Sequence, residues 1–349
     1  MSKNIVFCAD GTWNTDQKQT NVSKIWAGSF DDPTQVVFYD DGVGADGNII
    51  VKLLGGAAGI GLWKKIKIGY QTIAAVYAPE DPLYIFGFSR GAYTARCLAG
   101  MIARCGLPTK GDPNAIVDVA FDVYRRFKDP SALAPYAMFD AKITMVGVWD
   151  TVGALGIPAL FGGADPIVYG FLDTGLHPDV LNAYHAVAID EHRTEFLPTL
   201  WTSKPQPGQV LEQVWFCGAH CDVGGGDAPR LAGQPSLADI TLAWMASKAR
   251  PLGLRFRPEF DAQYPYPMDP SFASVMIDNS WKPLWGVPVL RPVPDTAVLG
   301  NSVAIRCQVD PRYRPDNLDF DDAGVLAPHY QLRAVVGPLA AAAAAQAGG

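Results

Sequence analysis

Cysteine is scarce and unpatterned in this 349-residue chain. Six occur, at positions 8, 97, 105, 217, 221 and 307, without the close, even spacing of a disulfide-stapled scaffold. Reduced thiols in a protein made in the cytosol are expected. No block of Lys and Arg occurs, and a net charge of −7 argues against a nucleic-acid-binding surface. No apolar run approaches the ~20 residues of a membrane-spanning helix. The longest, Leu53 to Trp63, has 11 residues, four of them glycine. A signal peptide is not read either, because Met1-Ser2-Lys3-Asn4 leads straight into the apolar Ile5–Cys8. The chain is therefore expected to be cytoplasmic, or exported by a route that needs no amino-terminal signal. Internal repeats are also lacking.

Hydrophobic residues make up 49% of the chain and charged residues 18%, which suits a sizeable core in one large α/β domain or two ordinary ones. Six apolar, β-branched and aromatic runs read as strands: Ile5–Cys8, Gln35–Tyr39, Leu83–Phe86, Ile143–Trp149, Tyr184–Ile189 and Val214–Cys217. Between them lie helical patterns at 62–77, 92–104 and 115–128. Another follows at 237–249, capped by Ser236 and stopped before Pro251. This alternation predicts a mostly parallel sheet flanked by helices on both faces. The catalytic core is expected over 1–250. Within it, the Gly-rich, apolar 151–183 reads as a lid insertion. The Pro- and aromatic-rich 251–335 reads as an irregular extension packed on the core, and the alanine-rich 336–349 as a frayed tail.

The most specific local signal is Gly87-Phe88-Ser89-Arg90-Gly91. It follows the strand Leu83–Phe86 and precedes Ala92–Ala99, a stretch of good helix formers. Strand, tight turn through serine, helix is the context of a G-x-S-x-G nucleophile elbow. Gly87 and Gly91 stand where backbones pass too closely for a Cβ.

A nucleophilic serine needs a base, and the base needs an acid to orient it. In the order serine, acid, histidine, Ser89 is followed by two strand-end carboxylates, Asp150 and Asp190, and then by strand-end His220 in a Gly-rich loop. His177, His185, His192 and His329 read as structural or surface residues. Asp150 is the preferred acid; Asp190 is the alternate, in a turn where Glu191, His192 and Arg193 suggest a local ion-pair cluster. For the oxyanion hole, the backbone N–H of Arg90 is the first donor, and Gly11 or Thr12 in the loop after the first strand is the second.

Three other patterns do not hold up. Asp10-Gly11-Thr12 resembles an aspartyl-phosphate phosphatase loop, but Cys8 stands where its nucleophilic Asp belongs. Gly42-Val43-Gly44-Ala45-Asp46-Gly47 fits G-x-G-x-x-G yet opens no helix in register. Cys217, His220 and Cys221 lack a second ligand pair for zinc. No metal and no cofactor are expected.

Five segments together resemble the α/β-hydrolase family whose members include the Tle1-type phospholipase effectors of type VI secretion. They are Phe7–Asn14, Phe38–Gly44, Gly87–Arg96, Gly147–Gly153 and Val214–Gly226, in family order from residue 5 to about 250. The resemblance implies an α/β-hydrolase fold and a serine-dependent esterase or phospholipase A activity on ester-linked lipids. It matches Ser89 to the nucleophile and His220 to the base, and leaves Asp150 and Asp190 both at acidic family positions. The partners implied are a lipid or acyl-ester substrate, transient contact with a membrane surface, and a secretion or immunity protein. Two other readings share the same residues: an amidase, and a non-catalytic module binding a partner or membrane through exposed Trp281 and Trp285.

Overall fold

The computed structural model describes residues 2–11, 19–41, 57–108, 112–126, 128–153, 175–226, 234–278 and 280–339. Thr12, the glycine pattern at 42–47, most of the anticipated lid (154–174) and residues 340–349 lie outside these residues.

Ten strands are described: β1 (Asn4–Ala9), β2 (Gln35–Asp40), β3 (Leu83–Phe88), β4 (Leu107–Pro108), β5 (Met138–Phe139), β6 (Met145–Trp149), β7 (Asn182–Ala188), β8 (Val210–Phe216), β9 (Val298–Gly300) and β10 (Gln331–Arg333). Helices α1 (Asn21–Gly28), α2 (Ala57–Val76), α3 (Arg90–Cys105), α4 (Pro113–Arg125), α5 (His220–Gly224), α6 (Leu237–Ala249), α7 (Pro258–Gln263) and α8 (Asn301–Val309) connect them. Eight strands form one sheet in the order β10-β9-β8-β7-β6-β3-β1-β2. Every pairing in it is parallel. β4 and β5 make a separate antiparallel pair.

The central strands β1, β3 and β6 are almost wholly apolar and buried because both faces are covered. Along β1, Val6 and Cys8 enter one core while Ile5, Phe7 and Ala9 enter the other; β3 repeats this with Tyr84, Phe86 and Phe88 against Leu83 and Ile85. Helices α1 and α6 cover the first face, and α2, α3 and α4 the second. Helix α6 is capped by Ser236, whose side chain accepts from Ala238 N–H, and its residues 237–246 are all buried. A helix apolar on every side belongs in a core.

The extension after residue 250 is more than a wrapping. It supplies α8 and two strands, with β9 extending the sheet beside β8 through Val298 and Leu299. A boundary near 250 therefore does not coincide with an edge of the sheet. Trp281 and Trp285, expected to be exposed, are half-buried.

The chain runs from β1 to β2 on one side and then returns to place β3 on the other. The carboxyl ends of β1 and β3 thus flank a topological switch point, where open α/β sheets bind ligands. The two elbow glycines permit this junction. A Cβ on Gly91 would lie 2.2 Å from the Ala9 carbonyl oxygen and 2.5 Å from that of Asp10. One on Gly87 would lie 2.5 Å from Gly91 O. These are backbone contacts that no rotamer relieves. Gly91→Ala is expected to destabilise the protein by about 3 kcal/mol or more, read as a lower urea midpoint at unchanged m-value.

Candidate active site

Ser89 links β3 to α3 with φ 59° and ψ −124°, a conformation that non-glycine residues rarely adopt. Such strain, typically about 1–3 kcal/mol, persists only where the surroundings enforce it. Here Ser89 N–H donates to Trp149 O at 3.0 Å, and Ser89 O accepts from Tyr93 N–H at 3.3 Å. Arg90 opens α3, and the N–H groups of a helix's first turn have no acceptor within the helix.

Asp150 follows β6 directly and also has positive φ, 40°. Its N–H donates to Ala186 O at 2.7 Å, which fixes the turn against β7. The side chain is fully buried, and its two oxygens are surrounded by donors. Oδ1 accepts from Ala188 N–H at 2.9 Å and from Arg291 at 2.6 Å. Oδ2 meets His220 Nδ1 at 2.5 Å and accepts from Arg291 at 2.8 Å. Burial pushes this carboxyl upward, but the Arg291 charge and the hydrogen bonds from His220 and Arg291 outweigh it and hold the group below the usual carboxylate range.

His220 is not in an irregular loop, as its glycine-rich surroundings suggested, but is the first residue of α5, with Ala219 as N-cap. Its ring packs on Phe88, the residue before Ser89, at 4.6 Å, and meets the edge of Phe196 at 4.9 Å. Gly224, on the same short helix, leaves room for Phe88, since a Cβ there would lie 2.0 Å from that ring. Burial holds His220 below the ordinary imidazole range despite the opposing Asp150 and Glu191 charges. The imidazole is thus kept neutral and fit to accept a proton.

The structure joins His220 to Asp150 and gives Asp190 other partners. Asp190 Oδ2 accepts from Gly218 N–H at 2.6 Å and from Tyr313 Oη–H at 2.8 Å. It therefore latches the turn that leads into His220. Gly11 N–H donates to Asp10 Oδ1 at 2.6 Å. The same Asp10 carboxylate accepts from Thr20 at 2.5 Å and from Tyr39 at 2.7 Å. Gly11 is thereby held at the mouth of β1 but engaged with its neighbour. Among the described residues, Cys217, His220 and Cys221 form no metal-ligand group.

His185 is core: Nε2 accepts Thr151 N–H at 3.1 Å, and Nδ1 lies 3.3 Å from Gln213 Oε1. Half-buried His177 sits beside Asp179, and exposed His329 beside Asp319.

Residues missed in the sequence include Arg291 and Phe196, which carry no local motif, and Glu191, noted only as part of an ion-pair turn. Glu191 is fully buried and makes two hydrogen bonds to the Arg193 side chain, at 2.9 and 2.7 Å. It also accepts from His220 N–H at 3.3 Å and from Ser280 Oγ–H at 2.9 Å. Burial raises this carboxyl, but the Arg193 contacts prevail and bring it down to about 2 from an ordinary 4.5. Its stabilising effect is complete above pH 4.5 and fades as pH falls toward 2. A Glu191→Gln variant should be less stable at pH 7 by on the order of 3 kcal/mol. That gap should close in urea titrations near pH 2.

No helix among the described residues is long and apolar enough to cross a membrane. Residues 3–248 match the model of the family described as "T6SS, Phospholipase effector Tle1-like, catalytic domain". An uncharacterized protein of Saccharomyces cerevisiae is 29% identical over 235 residues, covering 58% of this chain and 33% of the relative. The crystal structure of an uncharacterized protein from Pseudomonas aeruginosa superposes with a TM-score of 0.51 at 16% identity, over 75% of this chain and 48% of that one. The structure of the Tle1 effector bound to the VgrG spike is similar at a TM-score of 0.39 and 17% identity, over 67% of this chain and 52% of that one. The chain thus spans about a third of the yeast relative and about half of the two solved proteins.

Proposed function

Because the chain belongs to the Tle1-like catalytic-domain family of type VI secretion phospholipase effectors, we propose that it is a serine hydrolase of acyl esters whose substrates are phospholipids. The observation that carries this reading is the buried His220–Asp150 hydrogen bond of 2.5 Å, adjoining the strained turn at Ser89. In this reading Ser89 is the nucleophile, His220 the base and Asp150 the acid.

Ser89 Oγ attacks the acyl carbon as His220 Nε2 takes the hydroxyl proton, while Asp150 holds Nδ1–H and stabilises the imidazolium. The tetrahedral oxyanion is held by the Arg90 N–H at the start of α3. Collapse expels the lysophospholipid alcohol, which receives the proton from His220. Water, deprotonated by His220, then cleaves the acyl-serine, releasing the fatty acid and restoring Ser89. Delivery through a type VI apparatus and pairing with an immunity protein belong to the same reading and rest on family membership.

The test is a panel of phosphatidylcholine, phosphatidylethanolamine and phosphatidylglycerol in mixed micelles. Wild type should release fatty acid and lysophospholipid from at least one of them, and Ser89→Ala from none. A wild type inert on every acyl ester, or an equally active Ser89→Ala, would overturn the proposal.

A further inference from the structure

We propose that Arg291, which lies beyond the stretch that matches the family model, is a positioning residue for hydrolysis. It holds the Asp150 carboxylate in the plane that aims His220. The assignment rests on the Ser89–His220–Asp150 reading above.

Arg291 comes from the Pro-rich segment between α7 and β9 and is 1% exposed, one of the largest fully buried side chains. Its two terminal nitrogens take one Asp150 oxygen each, at 2.6 and 2.8 Å. This fork fixes a carboxylate's plane as well as its position, which a point charge cannot do. The guanidinium is itself anchored on both sides. It donates to Ala188 O at 2.8 Å and to the carbonyl of Phe196, whose ring borders His220. Asn317 ties the Arg291 carbonyl to that of Ile189, at 3.2 and 3.1 Å. One residue thus sets the acid, the end of β7 and the ring beside the base.

Other C-terminal residues meet the carboxylates around the base. Asp278 N–H donates to Asp222 at 3.0 Å, Ser280 to Glu191 at 2.9 Å, and Tyr313 to Asp190 at 2.8 Å. These contacts buttress helix α5, which bears His220, and the turn leading into it. Arg291 alone of this set contacts the acid itself.

Placement also carries an electrostatic consequence. His220 is faced by Asp150 from the end of β6, and by Glu191 with its partner Arg193 from the turn after β7. Asp222 on its own helix is engaged with Ala219 and Asp278 N–H groups. Asp150 in turn is faced by Arg291 and His220, with His185 buried nearby. Removing the Arg291 charge leaves Asp150 less compensated, so it draws a proton onto His220 more strongly. A protonated imidazole cannot act as base. The acid limb of the kcat/KM profile must then move to higher pH.

The test compares wild type, Arg291→Met, Arg291→Lys and His220→Ala on p-nitrophenyl butyrate across pH 4–9, with folded fraction followed by circular dichroism. Arg291→Met should lose about 100-fold in kcat, with KM nearly unchanged and the acid limb displaced upward. Arg291→Lys should return the limb toward its wild-type position while recovering kcat only in part, since Lys lacks the fork. If Arg291→Met does not fold, Arg291→Lys decides. A lowered kcat in a fully folded protein supports the proposal, and a wild-type kcat overturns it. A loss that merely tracks the folded fraction, with the limb unmoved, also overturns it and leaves Arg291 structural. Retained activity in His220→Ala overturns the underlying triad as well, whereas loss there beside an unperturbed Arg291→Met overturns the Arg291 assignment alone.

Discussion

Ser89→Ala and His220→Ala should each lower acyl-ester turnover by roughly four to six orders of magnitude. In the proposed mechanism the loss is large because the two side chains act on one proton. Without the Ser89 hydroxyl no acyl-enzyme forms, and without the His220 imidazole the hydroxyl keeps its proton at neutral pH. The double variant should therefore be scarcely worse than either single one. Residual activity should reflect whatever oxyanion stabilisation the Arg90 amide retains. Stability should change little in Ser89→Ala, since the elbow is held by its backbone bonds to Trp149 and Tyr93. A fluorophosphonate probe separates the two roles: it should label wild type at Ser89, fail entirely on Ser89→Ala, and react far more slowly with His220→Ala. Undiminished labelling of His220→Ala would remove that histidine from the mechanism.

The elbow was legible because its information is local. An apolar strand, two glycines at fixed spacing and a run of helix formers name the turn without reference to anything distant. His220 was legible through chain order, although its helix was not: a five-residue helix whose last residue opens a run of three glycines carries no helical period. The strands β1, β3 and β6 announced themselves by near-continuous hydrophobicity, as did the mostly apolar carboxyl halves of β7 and β8, whereas β9 and β10, three residues each, offer too short a pattern to read. Arg291 was invisible for a different reason. Its partner Asp150 is 141 positions away, and a single arginine between Leu290 and Pro292 has no periodicity to betray it. The choice between Asp150 and Asp190 likewise stayed open in the sequence, since both end strands and only packing tells which carboxylate meets the imidazole.

Asp150→Asn should separate the two acids more sharply than any other substitution. The asparagine keeps the shape but replaces one oxygen with a donor, and every neighbour of that carboxylate is already a donor or a histidine N–H. Whichever way the amide turns, it faces an Arg291 N–H or His220 Nδ1–H. The orientation that spares the Ala188 N–H sets the amide NH2 against His220, which is then pushed to the opposite tautomer, with its proton on the nitrogen that should receive one. By that mechanism kcat should fall about 10⁴-fold. Stability should fall too, by about 3–5 kcal/mol, because the buried Arg291 loses its counter-charge. Asp190→Asn has no such double effect. It weakens the latch to Gly218 and Tyr313 at an expected cost of about 1–2 kcal/mol. Asp222 and Glu191 still hold the neighbouring Ala219 and His220 amides. Its kcat should stay within about tenfold of wild type, with the pH profile unchanged. Steady-state kinetics and urea titrations on the two variants decide the matter. If Asp190→Asn shows the 10⁴-fold loss and Asp150→Asn keeps its rate, the acid lies after β7 rather than after β6, and the Arg291 fork orients a carboxylate that the reaction does not use.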